Sequence, residues 1–161
     1  MKEIIAYEMK YDIGAGGLPE YTLPTDMEIK PFATEYADEY IEKYNEAFHA
    51  MREALEIEPY DFYSDASQLR QNGENTFLLL RDGILCGGVS CYGAELDDLF
   101  VAKGYRGKGF GRLLLRYGMK RIYENGGANE ITLHAAEWND NAVRLYMTEG
   151  FSVFRIERHH I

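Results

Sequence analysis

Gly104-Tyr105-Arg106-Gly107-Lys108-Gly109-Phe110-Gly111-Arg112 stands between a run with strand character, residues 95–101, and a run with helical periodicity. Glycines at such a junction permit φ > 0 and let a ligand approach the backbone closely. A helix start offers free N–H groups and the positive end of a dipole, which together suit an anion. Arg106, Lys108 and Arg112 add positive charge within a chain whose net charge is −10. The stretch therefore reads as a phosphate site. It is not a nucleotide P-loop: Gly104 and Gly109 have the spacing, but Phe110 and Gly111 replace the required Lys and hydroxyl. Nor is it the dinucleotide fingerprint, because Gly107, Gly109 and Gly111 run Gly-x-Gly-x-Gly. A turn without a ligand is the plain alternative, but it has little reason to combine these glycines with three bases.

Working outward, Leu115, Met119 and Ile122 line one face of the following helix, and Asn125-Gly126-Gly127 supplies its stop. Residues 130–135 read as a strand, 139–148 as a helix ended by Gly150, and 151–158 as a last strand. Upstream lies a meander of strands at 76–80, 84–92 and 95–101, its first hairpin turning at Arg81-Asp82-Gly83. Tyr36, Tyr40, Tyr44, Phe48, Met51 and Leu55 recur at helical spacing between Thr34 and Glu56. Residues 64–72 suggest a short second helix. Residues 27–30 read as a strand stopped by Pro31, and residues 3–11 as a first strand before a breaker cluster at 14–19. The strand–helix–strand crossover from 95–101 to 130–135 makes those two strands parallel, while the hairpins are antiparallel. The expected fold is α/β (α+β): a mixed, mostly antiparallel central sheet of about six or seven strands with helices on both faces.

The chain has 161 residues, enough for one domain with its own core. No apolar run approaches the roughly 20 residues that cross a bilayer. Glu3 and Glu8 interrupt the first apolar stretch, so a signal peptide is not expected and the cytoplasm is the expected location. Cys86 and Cys91 are an odd number of residues apart on one strand, which alternation places on opposite faces. They read as unbridged small hydrophobes, and no metal-ligand spacing surrounds them. Residues 33–65 carry ten acids against two bases. Nucleic acid is thereby excluded as a partner. The segment reads either as a solvated helix face or as a wall facing a cation.

At this point the sequence resembles the GNAT superfamily of acyl-CoA N-acyltransferases, whose signature [Gln/Arg]-x-x-Gly-x-[Gly/Ala] matches Arg106–Gly111. Leu99-Phe100-Val101 resembles the family's strand before that loop, and Asn139 to Phe151 its second motif. The likeness spans roughly residues 26–158, so the expected division is an extension, 1–25, and one domain, 26–161. The extension could add a strand, close a pocket or make a homodimer contact.

The resemblance implies that backbone N–H groups from Arg106 through Gly107, Lys108, Gly109, Phe110 and Gly111 to Arg112 hold the pyrophosphate of acetyl-CoA. It implies that Leu99, Phe100 and Val101 pair with the pantetheine arm, and that an N–H near Leu99 polarises the thioester carbonyl. Tyr146 is the expected general acid; Asn139 caps its helix or reaches the pantetheine amide. The expected base is Glu95 or Asp97, which alternation puts on one face with Asp98 on the other; His134 reads as a packed strand residue. The implied activity is direct attack of a primary amine on acetyl-CoA, without a covalent enzyme intermediate or a metal. Alternatives are a silent acyl-CoA-binding module, use of another acyl-CoA, or a nucleotide-binding protein. The acidic, aromatic wall at about 36–66, with Tyr60, Phe62 and Tyr63, suggests a cationic acceptor such as a polyamine, an aminoglycoside-like amine or a peptide amine.

Overall fold

The computed structural model describes residues 3–69 and 73–160. In chain order the elements are β1 (Glu3–Asp12), the single turn α1 (Ile13–Gly16), β2 (Met27–Pro31), α2 (Ala37–Ala54), β3 (Thr76–Arg81), β4 (Ile84–Tyr92), β5 (Glu95–Val101), α3 (Phe110–Gly126), β6 (Glu130–Ala136), α4 (Asp140–Thr148) and β7 (Ser152–His160). Of the short helix expected at 64–72, Ala66–Leu69 forms a 3-10 turn; residues 70–72 lie outside the described residues.

The seven strands form one sheet in the order β2-β3-β4-β5-β6-β1-β7. Neighbours are antiparallel except β5 and β6, the pair joined through α3. β1 is bonded on both sides, to β6 and β7, so residues 3–12 contribute an interior strand. After it, Asp12 accepts from the N–H groups of Gly14 and Ala15, and the Tyr11 hydroxyl donates to the Gly17 carbonyl at 2.6 Å. At the β3–β4 hairpin Asp82 and Gly83 both have positive φ, 49° and 79°, as the two-residue Asp-Gly turn requires.

α3 and α4 cover one face, burying Met9, Val89, Leu96, Leu114, Met119 and Ile131. α2 covers the other, where Tyr40 packs its ring on Phe32, Tyr44, Tyr63 and Phe100 at 5.6–6.0 Å. Each such aromatic pair contributes about 0.5–1.5 kcal/mol beyond area burial, so this cluster is what fixes α2 against the sheet. No described helix is long and apolar enough to cross a membrane.

Three register shifts re-aim side chains. In β4 the pairing with β3 jumps from Leu85 to Gly87, which puts Cys86 on the α3 face with Cys91. The two thiols are free, as expected, but they share a face; the extra residue cancels the alternation that separated them. In β5 the pairing jumps from Asp97 to Phe100, and Asp98 takes φ 51°. Phe100 thereby joins α2's tyrosines instead of the α3 core. In β7 the shift at Phe154 brings Arg155 opposite Glu8.

Candidate active site

β5 and β6 pair only at Glu95↔Thr132 and Leu96↔Leu133. Beyond those residues each strand continues without a partner across the gap, and a cleft opens between them. Parallel strands leave slanted, evenly spaced N–H and C=O groups along such an edge, ready to bind an extended amide chain.

On one side of the cleft is a groove of about 550 Å³, lined by Leu99, Val101, Arg106, Gly107, Asn139 and Tyr146 among others. Its end is the glycine-rich loop. Gly104, Gly107 and Gly109 have φ of 96°, 78° and 84°, and around each the space where a Cβ would stand is empty within 4 Å. Gly109 is the N-cap of α3, with no side chain capping it, and its carbonyl accepts from Leu113. The N–H groups ahead of Leu113 therefore stand outside the helical ladder, at the positive end of the helix dipole. The end of the groove thus presents backbone N–H groups to an anion.

The three bases of this loop do not act together. Arg106 lines the groove and donates to the Val101 carbonyl at 3.2 Å. Lys108 and Arg112 lie around the helix start, lining a smaller hollow with Tyr21 and Thr22. Arg112 and Arg116 both grip Glu149, at 2.5 and 2.8 Å. Burial pushes that carboxyl up and the two guanidiniums outweigh it, so it ends below the usual carboxylate range. Glu149 is thus a tie between α3 and the end of α4.

Tyr146 lines both this groove and the adjoining cavity, so it stands where the two meet. Burial, with the charge of Asp97 second, pushes its phenol up to about 12. Its hydroxyl has no hydrogen-bond partner among the described residues. Asn139 also lines both spaces. It is the residue before α4, but its side chain makes no capping bond, which corrects the capping role expected for it. Phe100 lines the groove through its strand, while its ring belongs to the α2 cluster.

The adjoining cavity, about 260 Å³, is lined by Tyr44, Phe48, Met51, Arg52, Asp97, Asp98 and His134 together with the β6 backbone. Strict alternation separated Asp97 from Asp98. The shift in β5 instead brings both to this wall, where the Tyr44 hydroxyl donates to Asp98 at 2.7 Å. Burial and then the Asp97 charge raise Asp98 to about 6, against the opposing bond from Tyr44. Asp97 is raised chiefly by burial. Glu95 is turned toward His134, 3.1 Å away. His134 is exposed rather than packed, because its neighbours on this sheet face are carboxylates and no helix covers them.

The segment 33–65 does wall the cavity, but its acids are not among the lining residues. What reaches it from α2 is Tyr44, Phe48, Met51 and Arg52; Glu39 is bound to Lys43, and Glu53 and Asp61 to His49. Tyr63 packs into the Tyr40 cluster and Phe62 lies under the Arg52 guanidinium. The negative charge at the cavity comes from β5. Sequence reading missed Tyr44 as a site residue, since its helical spacing marks it only as core.

The raised Asp98 makes stability depend on pH. Unfolded Asp titrates near 3.9, so between about pH 4 and 6 the folded chain holds a proton that the unfolded chain has released. That contribution is full below pH 4 and is lost as pH rises through 6. Asp98→Asn removes it while keeping an oxygen for Tyr44. The variant is expected to show a flatter melting temperature across this window and a higher one than the native chain at pH 7, measured by thermal unfolding over a pH series.

A sheet whose parallel central pair parts above a glycine-rich helix start, with a buried tyrosine at the junction, defines an acyl-CoA-type transferase fold. The family model described as Acetyltransferase (GNAT) family matches residues 32–151, and the chain belongs to that family. A mycothiol acetyltransferase of Corynebacterium efficiens is 39% identical over 53% of this chain and 30% of its own length. The L-ornithine N5-acetyltransferase NATA1 of Arabidopsis thaliana is 35% identical over 39% of this chain and 27% of its own. The chain thus spans less than a third of the length of these relatives. Among solved structures, a GCN5-related N-acetyltransferase from Sphaerobacter thermophilus superposes with a TM-score of 0.68 at 20% identity, over 99% of this chain and 52% of that one. Arabidopsis thaliana Naa50, in complex with the bisubstrate analogue CoA-Ac-MVNAL, gives 0.59 at 20% identity, over 81% and 86%.

Proposed function

We propose that this chain moves the acetyl group of acetyl-CoA to a primary amine that arrives as a cation, by direct attack, with β1 built into the transferase sheet rather than standing outside it as an extension. The observation that carries this is the single cleft joining the left-handed glycine loop to Tyr146, Asp97 and Asp98. Acetyl-CoA, when bound, supplies an activated thioester carbonyl. Gly107 to Arg112 hold its pyrophosphate through their N–H groups, and residues 99–101 offer backbone groups to the pantetheine amides. Beyond Leu96 the β6 side of β5 has no strand partner, so the Leu99 N–H is available to polarise the carbonyl.

Asp97 and Asp98 attract the ammonium, and its proton leaves on the side of the cavity where β5 faces β6. Tyr146 donates to the departing sulfur. A phenol near 12 is a weak acid for an ordinary thiolate, whose own value is about 8.5. The sulfur, however, departs into the same poorly solvated cleft, which raises its proton affinity too and narrows the gap.

The test is release of free thiol from acetyl-CoA with a panel of cationic, neutral and anionic amines. Cationic amines are expected to react fastest. Coenzyme A binding without release from any amine would mark a non-catalytic module, and preference for anionic amines would refute the acceptor class.

A further inference from the structure

Asp97, His134 and Glu8 stand on adjacent strands of the sheet face that α2 leaves uncovered. The registers put Leu96 opposite Leu133 and Glu8 opposite His134, so the three follow one row across β5, β6 and β1. Glu95 on β5 faces His134 Nδ1 at 3.1 Å. Glu8 on β1 and Glu157 on β7 face its Nε2, each at 3.8 Å, beyond hydrogen-bond length. Further out, Arg155 is bound to Glu8 and His159 to Glu157. From α2, Arg52 is the one charged group lining the same cavity. With Nδ1 bound to Glu95, the second ring nitrogen of His134 stays free to take a proton.

Resting on the transferase reading above, we propose that His134, not a carboxylate, is the group that takes the proton from the acceptor ammonium, with Glu95 as its positioning residue. Three features carry this. His134 lines the cavity, so its ring can meet the acceptor or a water bound to it. Glu95, as an acceptor-only carboxylate, holds the proton on Nδ1 and leaves the lone pair on Nε2. Glu8 and Glu157 stand on the Nε2 side of the ring at 3.8 Å, too far to occupy that nitrogen by a hydrogen bond. The proton balance is simple. An N–H bond of R–NH3+ breaks and its proton joins Nε2, leaving R–NH2 and an imidazolium. R–NH2 then attacks the thioester carbonyl, and the imidazolium returns its proton to water through its exposed edge.

The experiment is the pH profile of kcat/KM for one responsive amine, comparing the native enzyme with His134→Gln and Glu95→Gln. His134→Gln is expected to lose on the order of 10²-fold at pH 7, within the usual range for general acid–base catalysis. Its rate should then climb with pH toward that of the native enzyme, because an amine already neutral in solution needs no base. That recovery also shows that the variant is folded. Glu95→Gln should give a smaller loss, on the order of 10-fold, with the acid limb of the profile displaced. The KM for acetyl-CoA should stay unchanged in both. Superimposable profiles for native enzyme and His134→Gln would overturn the assignment while leaving the transferase reading intact. A uniform loss at every pH would overturn it as well, since that is the mark of a structural role. Absence of thiol release by the native enzyme with every amine would overturn the transferase reading and this assignment with it.

Discussion

Tyr146→Phe is expected to lower kcat by roughly 10²-fold or more while leaving coenzyme A affinity and the melting temperature nearly as they are. The ring stays in place in this variant, so its packing against Phe151 and the rest of the α3–α4 core is kept. The hydroxyl bonds to no described residue, so its removal leaves no donor or acceptor stranded. The loss therefore falls on the step in which sulfur departs. Single-turnover rates and calorimetric titration with coenzyme A separate the two quantities. Equal loss of affinity and rate would mean that Tyr146 only shapes the groove. An unchanged kcat would remove it from the chemistry.

The second large effect belongs to the glycine loop. A double substitution, Gly107→Ala with Gly109→Ala, places two Cβ atoms on residues with φ of 78° and 84°. Nothing stands within 4 Å of either new methyl, so no clash contributes. The cost is the left-handed conformation itself, about 1–2 kcal/mol for each residue. If the loop keeps its shape, the folded protein loses that stability. If it relaxes instead, the N–H groups turn away and the same energy is lost from ligand binding, about 10²-fold in Kd at the middle of the range. The sum of the two losses, from denaturant unfolding and coenzyme A titration, is expected to be about 2–4 kcal/mol. A sum near zero would mean that the loop does not need these angles. Gly111 is a built-in control, because its backbone lies outside the left-handed region and a Cβ there would meet Leu145 at an ordinary 3.4 Å.

These sites differ in how plainly the sequence announces them. The loop, the strand before it and the helix after it are contiguous, so residues 95–126 can be read from local rules alone. The parallel pairing of β5 with β6 follows from the same contiguity plus the handedness of crossovers. The acceptor side obeys no local rule. Whether Asp98 joins Asp97 depends on how Ser90 and Gly88 pair with β5, a one-residue slip that no property of residues 95–101 discloses. The same kind of slip reunited Cys86 with Cys91. His134 looked like a packed residue because alternation says only that it faces away from Leu133. It cannot say that α2 leaves this part of the opposite face exposed. The acids of 33–65 misled for a related reason: helical spacing shows that they share a segment, while the turn of α2 decides that Tyr44 and Arg52, not Glu39 or Glu53, meet the cavity. Asn139 has the position of a cap without the bond, and only side-chain placement distinguishes those.

The place of β1 has a consequence for the order in which this site comes into being. The glycine loop, β5 and α3 can meet as soon as about thirty neighbouring residues are available, a short search for a chain. The cluster around His134 needs Glu8 beside it, and Arg155, bound to Glu8, is 147 residues from it along the chain. Closing a loop of that length costs on the order of 4 kcal/mol in chain entropy before any contact repays it. Until β6 and β7 exist, β1 has no strand to lie between, and Met9 and Tyr11 have no core to enter. The two sides of the cleft therefore differ in reach: the side built on the glycine loop is local in sequence, and the side around Glu8 and His134 joins the extremes of the chain.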